Sequence, residues 1–481
     1  MRILFASSEV APYSKTGGLA DVAGALPHAL AARGHEVVVI TPLYGSIDTS
    51  DFDLKRRRSR LTVSVGGKNV QAGILEDNRS PGFSVLFIEQ ADYFDRKGLY
   101  GNAHDFEDND ERYAFFSRAV LETCRSTGYS PDVVHCNDWQ TGPVPALLQF
   151  EYRDRPELNG TGSVMTIHNL GYQGLFPPKS MMALGLGWNL FTPSNFEFYG
   201  KVSFLKAGLV FADKLTTVSP RYAKEIQSPA FGFGLDGLLR ERKDDLRGIL
   251  NGVDYETWDP SHDPLIAANY TFENLSGKVT CKADLQQEMG LPVERDLPLV
   301  GCISRLTPQK GLDLFLDASA EFLKLPCQWI FLGTGDSEIE KALRALSEQH
   351  PEKLVKRISH DEDLAHKIQA GSDLFMMPSR YEPCGLNQMY ALRYGTIPIV
   401  RAVGGLDDTI EDISEGEGNG FKFASSKPGD LLATVTRAID AYHDKANWRR
   451  LTEYAMSRDF SWGRPARLYE KLYEQVVALR I

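Results

Sequence analysis

Two short segments set a cation beside glycine where an apolar run gives way to a helical pattern. The first is Lys15-Thr-Gly-Gly-Leu19. Glycine lets the backbone approach a ligand, the first turn of a helix favours an anion, and the Lys15 ammonium is a point charge suited to a phosphate. The spacing is neither that of a Walker loop nor the Gly-x-Gly-x-x-Gly of a dinucleotide loop. A tight turn with an exposed lysine is the plainer alternative. Asp21, in the first turn of the following helix, would serve simply as a partner for the helix dipole. The second segment is Ser304-Arg305-Leu-Thr-Pro-Gln-Lys310-Gly311. Arg305 follows an apolar run and Lys310 precedes a helix. Two cations at the carboxyl edge of a strand suit a diphosphate, the arginine as a fork and the lysine as a compact charge. Where a phosphate is the leaving group, they would stabilise the charge that develops as the bond breaks. A salt-bridged strand end is the alternative here.

Carboxylates and sugar-gripping groups appear at similar places. Pro378-Ser-Arg-Tyr381-Glu382-Pro-Cys-Gly-Leu386 follows another apolar run. Glu382 could bond sugar hydroxyls or stabilise positive charge on a sugar ring, or it could cap the next helix. Cys384 has no histidine near it in sequence and reads as a packing residue. His135-Cys-Asn-Asp138-Trp139-Gln140 and Thr166-Ile-His168-Asn169 each end a strand. Their side chains are of the kinds that hold sugars, by hydroxyl hydrogen bonds and by an apolar ring face. Asn251-Gly-Val-Asp254 is turn chemistry first and a ligand contact second.

These groups need a scaffold that brings strand ends together. Arg2–Ala6, the glycine loop, a helical stretch from Leu19 and Val37–Ile40 make the strand–loop–helix–strand signature of a parallel doubly wound sheet. Further buried-strand candidates are Ser84–Ile88, Val133–His135, Val164–Ile167 and Lys214–Val218. The alternation restarts after residue 250, with runs at Leu299–Ser304, Gln328–Leu332, Leu374–Met377 and Ile397–Val400 and helical spacing over Gly311–Leu323 and Ser337–Ser347. The chain of 481 residues exceeds a single core, since cores stop growing at about 250–300 residues. The expected fold is therefore α/β, with two Rossmann-like domains, 1–250 and 251–460, and a terminal amphipathic helix over 461–481. The boundary is expected near Gly248–Asn251, with Asp254–Asp263 as linker. Ligands are expected outside the carboxyl ends of the strands.

Composition narrows the class. Hydrophobic residues make up 42% and charged residues 24%, which is ordinary for a globular enzyme and wrong for a disordered chain. A net charge of −11 with one dense basic cluster, Lys55-Arg56-Arg57-Arg58, argues against nucleic acid as the main partner. That cluster reads as a solvated loop or helix face. Six scattered cysteines suggest neither a zinc site nor a disulfide framework, so reduced thiols in the cytoplasm are the simpler account. No apolar stretch is long enough to span a membrane, and the opening residues are too short an apolar run for a signal peptide. No carboxylate pair is spaced for a diphosphate-bound metal.

Lys-Thr-Gly-Gly-Leu at 15–19, His-Asn at 168–169, Tyr199–Leu209, Leu-Asn-Gly-Val-Asp at 250–254, Ser304–Gly311, Glu-Pro-Cys-Gly-Leu at 382–386 and Tyr394–Leu406 occur in one order along the whole chain. Together they resemble bacterial glycogen synthases and plant starch synthases. The resemblance implies the GT-B arrangement, two Rossmann-like domains facing a central cleft, with the C-terminal helix returning to the N-terminal domain. It implies retaining transfer of glucose from ADP-glucose to the non-reducing 4-OH of an α-1,4-glucan such as glycogen, with no cofactor and no metal. It implies that Lys15, Gly18, Asp21, Asn251, Gly385 and Leu386 lie at the donor. Arg305 and Lys310 would hold the diphosphate. Glu382 would stand at the glucosyl group, and the His168 carbonyl on the reacting face. Asp138, Trp139 and Asn169 would line the sugar site. No residue chooses between a front-face displacement and a covalent intermediate. Gln140 stands where many relatives carry histidine, which puts acid–base work there in doubt. A glucan phosphorylase would need a pyridoxal phosphate lysine, for which no segment asks. UDP-glucose as donor, with a smaller acceptor, and a non-catalytic glucan-binding relative are the competing readings.

Overall fold

Strands buried on both faces read as unbroken apolar runs, and Ile3, Leu4, Phe5 and Ala6 are all fully buried. The computed structural model describes residues 1–58, 60–80, 82–102 and 104–480. They divide into two units, Met1–Val218 with Ala223–Gly252 and Trp462–Ile481, and Ser219–Tyr222 with Val253–Ser461.

The first unit contains β1 (Arg2–Ala6), β2 (Glu36–Pro42), β3 (Lys55–Arg56), β4 (Leu61–Val65), β5 (Lys68–Ser80), β6 (Phe83–Glu89), β7 (Val133–Asn137), β8 (Gly162–Ile167), β9 (Leu175–Phe176), β10 (Glu197–Phe198), β11 (Lys201–Ser203), β12 (Lys214–Thr217) and β13 (Leu246–Gly248). Its main sheet has the order β13-β12-β8-β7-β1-β2-β6-β5-β3, with β4 on β5. The run from β13 to β6 is parallel; β3, β4 and β5 extend it antiparallel. The Lys55–Arg58 cluster is thus in part an edge strand rather than a loop or helix face. Its charges are engaged at close range, Arg56 with Glu89 and Arg57 with Glu76.

The helix Gly463–Ala478 belongs to this unit. Tyr473, fully buried, shares a hydrogen bond of 2.7 Å between its hydroxyl and His135 Nδ1. Glu470 receives Arg33 and lies 3.0 Å from His35. The helix thereby covers the same sheet that carries His135.

The second unit has β14 (Leu299–Ile303), β15 (Gln328–Leu332), β16 (Leu354–Arg357), β17 (Leu374–Met377), β18 (Ile397–Arg401) and β19 (Phe421–Phe423) in the order β16-β15-β14-β17-β18-β19, all parallel. One expectation needs correcting. The helical spacing over 311–323 does not give one helix but two single turns, Asp313–Leu316 and Ser319–Phe322. A straight helix would set residues seven apart at about 10 Å. With the break, the Phe315 and Phe322 rings stack at 4.9 Å and both meet Trp329 in the core. Packing of three aromatic rings has overridden helical propensity.

Candidate active site

In the parallel part of each main sheet the strand order reverses once, β1 lying between β2 and β7 and β14 between β15 and β17. Loops that leave the two neighbouring strands at such a point part to opposite faces and open a crevice at their carboxyl ends. Most residues singled out in the sequence follow the strands at or beside these two places, one group on each unit, while Asn251 follows the edge strand β13.

On the first unit, β1 runs into Ser7-Ser8-Glu9, and the Lys15 loop returns to the start of the helix Gly18–Ala31. Glu9 is buried and holds this loop. Its carboxylate accepts from Thr16 N at 2.5 Å, Thr16 Oγ1 at 2.6 Å, Gly17 N at 3.3 Å and the Tyr100 hydroxyl at 2.6 Å. Lys15 Nζ lies 2.8 Å from Asp21 Oδ1, so Asp21 orients the lysine besides standing in the first helical turn. Gly18 is exposed at the mouth of the loop. Sequence reasoning passed over Glu9. Its signal was a carboxylate at the end of the first strand, directly ahead of a glycine loop.

Parallel pairing of β7 with β8 brings Asp138 beside His168 and Asn169. Asp138 Oδ1 accepts from the backbone N–H of His168 at 2.7 Å and of Asn169 at 3.4 Å. Burial pushes its carboxyl up to about 7 against those two hydrogen bonds, so it can hold or release a proton near neutral pH. Burial pushes the His168 imidazole down to about 3, and the ring is neutral. Asn137 donates its amide to the Ala6 carbonyl at 3.0 Å, which leaves its Oδ1 to accept from His168 Nε2 at 2.8 Å. This network assigns the proton to Nε2 and a lone pair to Nδ1. Asn169 Oδ1 accepts from Gly171 N at 3.0 Å and shapes the following turn.

Trp139 differs from the rest. Its indole is packed among Tyr100, Tyr113 and Phe176, and a Cβ on Gly174 would lie 2.6 Å from it. With 9% of its surface exposed, it offers a sugar little ring face. Asn251 follows β13, two strands from β8, and is buried with no hydrogen-bond partner for its Oδ1 among the described residues. A buried acceptor left open in this way is what a ligand donor would satisfy. Gln140 is buried as well, and its Oε1 also has no partner there.

On the second unit, β14 and β17 are neighbours, so the loops after them meet. Gly311 takes φ +68°, and a Cβ there would stand 2.1 Å from the Pro378 carbonyl oxygen. Only glycine lets the two loops approach so closely. The result is that Lys310 Nζ donates to Glu382 Oε2 at 2.6 Å, with Ser379 Oγ donating to the same oxygen at 2.8 Å. Glu382 therefore does not cap the next helix, Asn387–Arg393, whose N-cap Leu386 has no side-chain hydrogen bond. Arg305 lies exposed, separated from the end of β14 by one residue, while the backbone on either side of it is tied down, Ser304 N to Leu332 O at 3.0 Å and Leu306 N to Thr334 O at 2.8 Å. Gly385 and Leu386, half-buried, complete the turn beyond Glu382. Ser379 lies inside the Pro378–Leu386 segment, where nothing in its sequence context sets it apart from an ordinary turn residue. Among the described residues no group of three or more His, Cys, Asp or Glu is placed to hold a metal ion, and no helix is long and apolar enough to cross a membrane.

Residues 2–241 match the starch synthase catalytic domain family, and residues 288–456 match group 1 glycosyl transferases. The chain is thus a glycosyltransferase of the two-domain GT-B fold class. The glycogen synthase of Anaeromyxobacter sp. (strain Fw109-5) is 52% identical over 480 residues, covering 99% of this chain and 100% of its own. That of Koribacter versatilis (strain Ellin345) is 48% identical over 483 residues, covering 100% and 99%. The catalytic domain of starch synthase IV from Arabidopsis thaliana, solved bound to ADP and acarbose, is 36% identical with a TM-score of 0.93, covering 99% of both chains. A sucrose-phosphate synthase from Thermosynechococcus elongatus, 18% identical with a TM-score of 0.63 and covering 99% of both chains, shares the fold. The chain belongs to the glycogen synthase and starch synthase family.

Proposed function

We propose that the chain transfers glucose from ADP-glucose to the non-reducing 4-OH of an α-1,4-glucan, glycogen, with retention at the anomeric carbon. The likeness along the whole chain to a starch synthase domain bound to ADP and acarbose carries this reading. The site chemistry supports the roles. Arg305 and Lys310, on the second unit, take the diphosphate and stabilise its charge as the glycosidic bond breaks. Glu382, held by Lys310 and Ser379, faces the glucosyl group, where a fixed carboxylate favours an oxocarbenium-like transition state. Gly385 and Leu386 contribute backbone beside the donor. On the first unit, Lys15, steadied by Asp21 and by the Glu9-bound loop with Gly18, adds a further cation for the donor, and Asn251 a further polar contact. Asp138 and Asn169 bind sugar hydroxyls, Trp139 supports them, and His168 presents its carbonyl to the reacting face. Residues 1–250 with 461–481 then form the acceptor side and 251–460 the donor side. ADP-glucose enters as substrate, and no bound cofactor is invoked. Six buried free thiols are in keeping with a cytoplasmic enzyme.

The test is incorporation of labelled glucose into glycogen from ADP-glucose and UDP-glucose in parallel. Faster incorporation from ADP-glucose is the expected result. Incorporation from UDP-glucose alone would move the donor assignment, and none from either, by folded protein, would reject the reaction.

A further inference from the structure

Among the described residues three that are not glycine take positive φ: Asp138 at 55°, Tyr199 at 48° and Phe233 at 47°. Asp138 belongs to the site already described. The other two are large aromatics, which suffer in this region of backbone space and reward a fold only when something else requires them. Tyr199 and Gly200 (φ 77°) are the two residues between β10 and β11, whose strands pair Phe198 with Lys201. A two-residue hairpin with both φ values positive is a type I′ turn, where Asn, Asp or Gly belong. The tyrosine placed there is also 82% exposed, and Phe233 is 41% exposed. Neither strain nor exposure helps the chain to fold.

The two tips are built next to each other and joined to the Asp138 loop. A Cβ on Gly234 would lie 3.2 Å from Tyr199 Cε2 and 3.0 Å from Phe198 Cζ. Lys206 fixes the near side of the hairpin, its buried ammonium donating to the carbonyls of Pro193 and Glu197, both at 2.5 Å. Gln173 Nε2 donates to the Phe233 carbonyl at 3.0 Å, and the adjoining Gly174 packs on the Trp139 ring. The support therefore runs without a gap from the Asp138–Trp139 turn to both aromatics. We propose that Tyr199 and Phe233 form an apolar lip that stacks on the pyranose faces of the α-1,4-glucan acceptor and holds its chain rather than its reacting end. The proposal rests on the glucan reading given above. Sugar ring faces are apolar and match exposed aromatic rings, and the continuity with the Asp138 loop favours the acceptor over a protein partner.

The variants Tyr199→Asn and Phe233→Ala of the full chain test it. Asparagine tolerates the left-handed turn, so Tyr199→Asn should melt no lower than the parent protein. Electrophoresis through a glycogen-containing gel should show each variant less retarded, and the KM for glycogen should rise by about three- to tenfold. The kcat at saturating glycogen and the KM for ADP-glucose should stay within about twofold, which a general loss of structure would not allow. Unchanged retardation in both variants, or a change in the donor KM instead, would overturn the lip. A change in oligomeric state on light scattering with glycogen binding intact would overturn it in favour of a protein contact. Retardation is read without any transfer. A parent protein that binds glycogen through these residues yet uses no sugar nucleotide would therefore reject the proposed reaction and leave the lip standing.

Discussion

Glu382 and Lys310 form a pair in which the side chains are 7% and 18% exposed, so the carboxylate is held in one place by two donors. Glu382→Gln keeps the shape and removes the charge. The transfer rate should fall more than tenfold with little change in melting temperature, since the amide oxygen can still accept from Lys310. A near-normal rate would take Glu382 out of the reaction. Glu9 acts one step further back, because it touches the loop rather than a substrate. Glu9→Ala removes both accepting oxygens from the N–H groups of Thr16 and Gly17 and from the hydroxyls of Thr16 and Tyr100. Losing those bonds should cost about 1–3 kcal/mol and raise the KM for the sugar nucleotide while kcat moves less. Thermal melts and steady-state kinetics on the same preparation would show whether both effects appear together.

At the scale of elements, two loops, not two helices, carry the Lys310–Glu382 pair, and what matters is how closely they pack. The 304–311 loop leans on the 378–382 loop, with Arg380 N donating to the Gln309 carbonyl at 2.8 Å and Gln309 Nε2 to the Tyr381 carbonyl at 3.2 Å. Gly311→Ala puts a methyl group into the Pro378 carbonyl and asks alanine for a left-handed φ. We expect a stability loss of about 1–3 kcal/mol and, because Lys310 moves with the loop, a fall in transfer rate larger than that of an alanine placed at Gly429, which has open space around it. Equal effects at the two glycines would mean that the loops do not depend on their close approach.

For the whole molecule, pH response follows from groups buried beneath the first unit's site. Burial pushes His135 and His168 down to about 3 from 6.5. Both are neutral in the folded and unfolded chain above 6.5. As pH falls from 6.5 towards 3, the unfolded chain binds two protons that the folded one refuses, and stability is lost. Asp138 acts in the opposite sense. Its folded value near 7 lies above 3.8, so the folded chain holds a proton that the unfolded one lacks, and stability is lost as pH rises through this window. Each group changes stability by about 1.4 kcal/mol per pH unit inside its window. The three together leave a net loss of about that size per unit below 6.5. Urea midpoints between pH 7 and pH 4.5 should therefore decline more steeply in Asp138→Asn and flatten in His168→Gln. Parallel curves for all three proteins would show that these groups do not set the slope.

The strands of both sheets were legible because parallel strands, buried on two faces, spell themselves as short apolar runs. The glycine loops and the cations after them were legible because they are contiguous in the chain. Strand order is not written locally. Which strand lies beside β1 or β14 is decided by crossovers, and those put Lys310 against Glu382 across 72 residues and Asp138 against His168 across 30. The antiparallel extension at β3–β5 is hard to see because β4 alternates buried and exposed positions and does not spell an apolar run. Trp139 reads from sequence as a sugar platform, but only the tertiary structure shows three other rings packed around it. The sequence by itself determined two doubly wound units and the chemical groups at their strand ends. The tertiary structure decided which of those groups touch, which have their proton affinity shifted by burial, and which aromatics are exposed, because contact and burial depend on residues far apart in the chain.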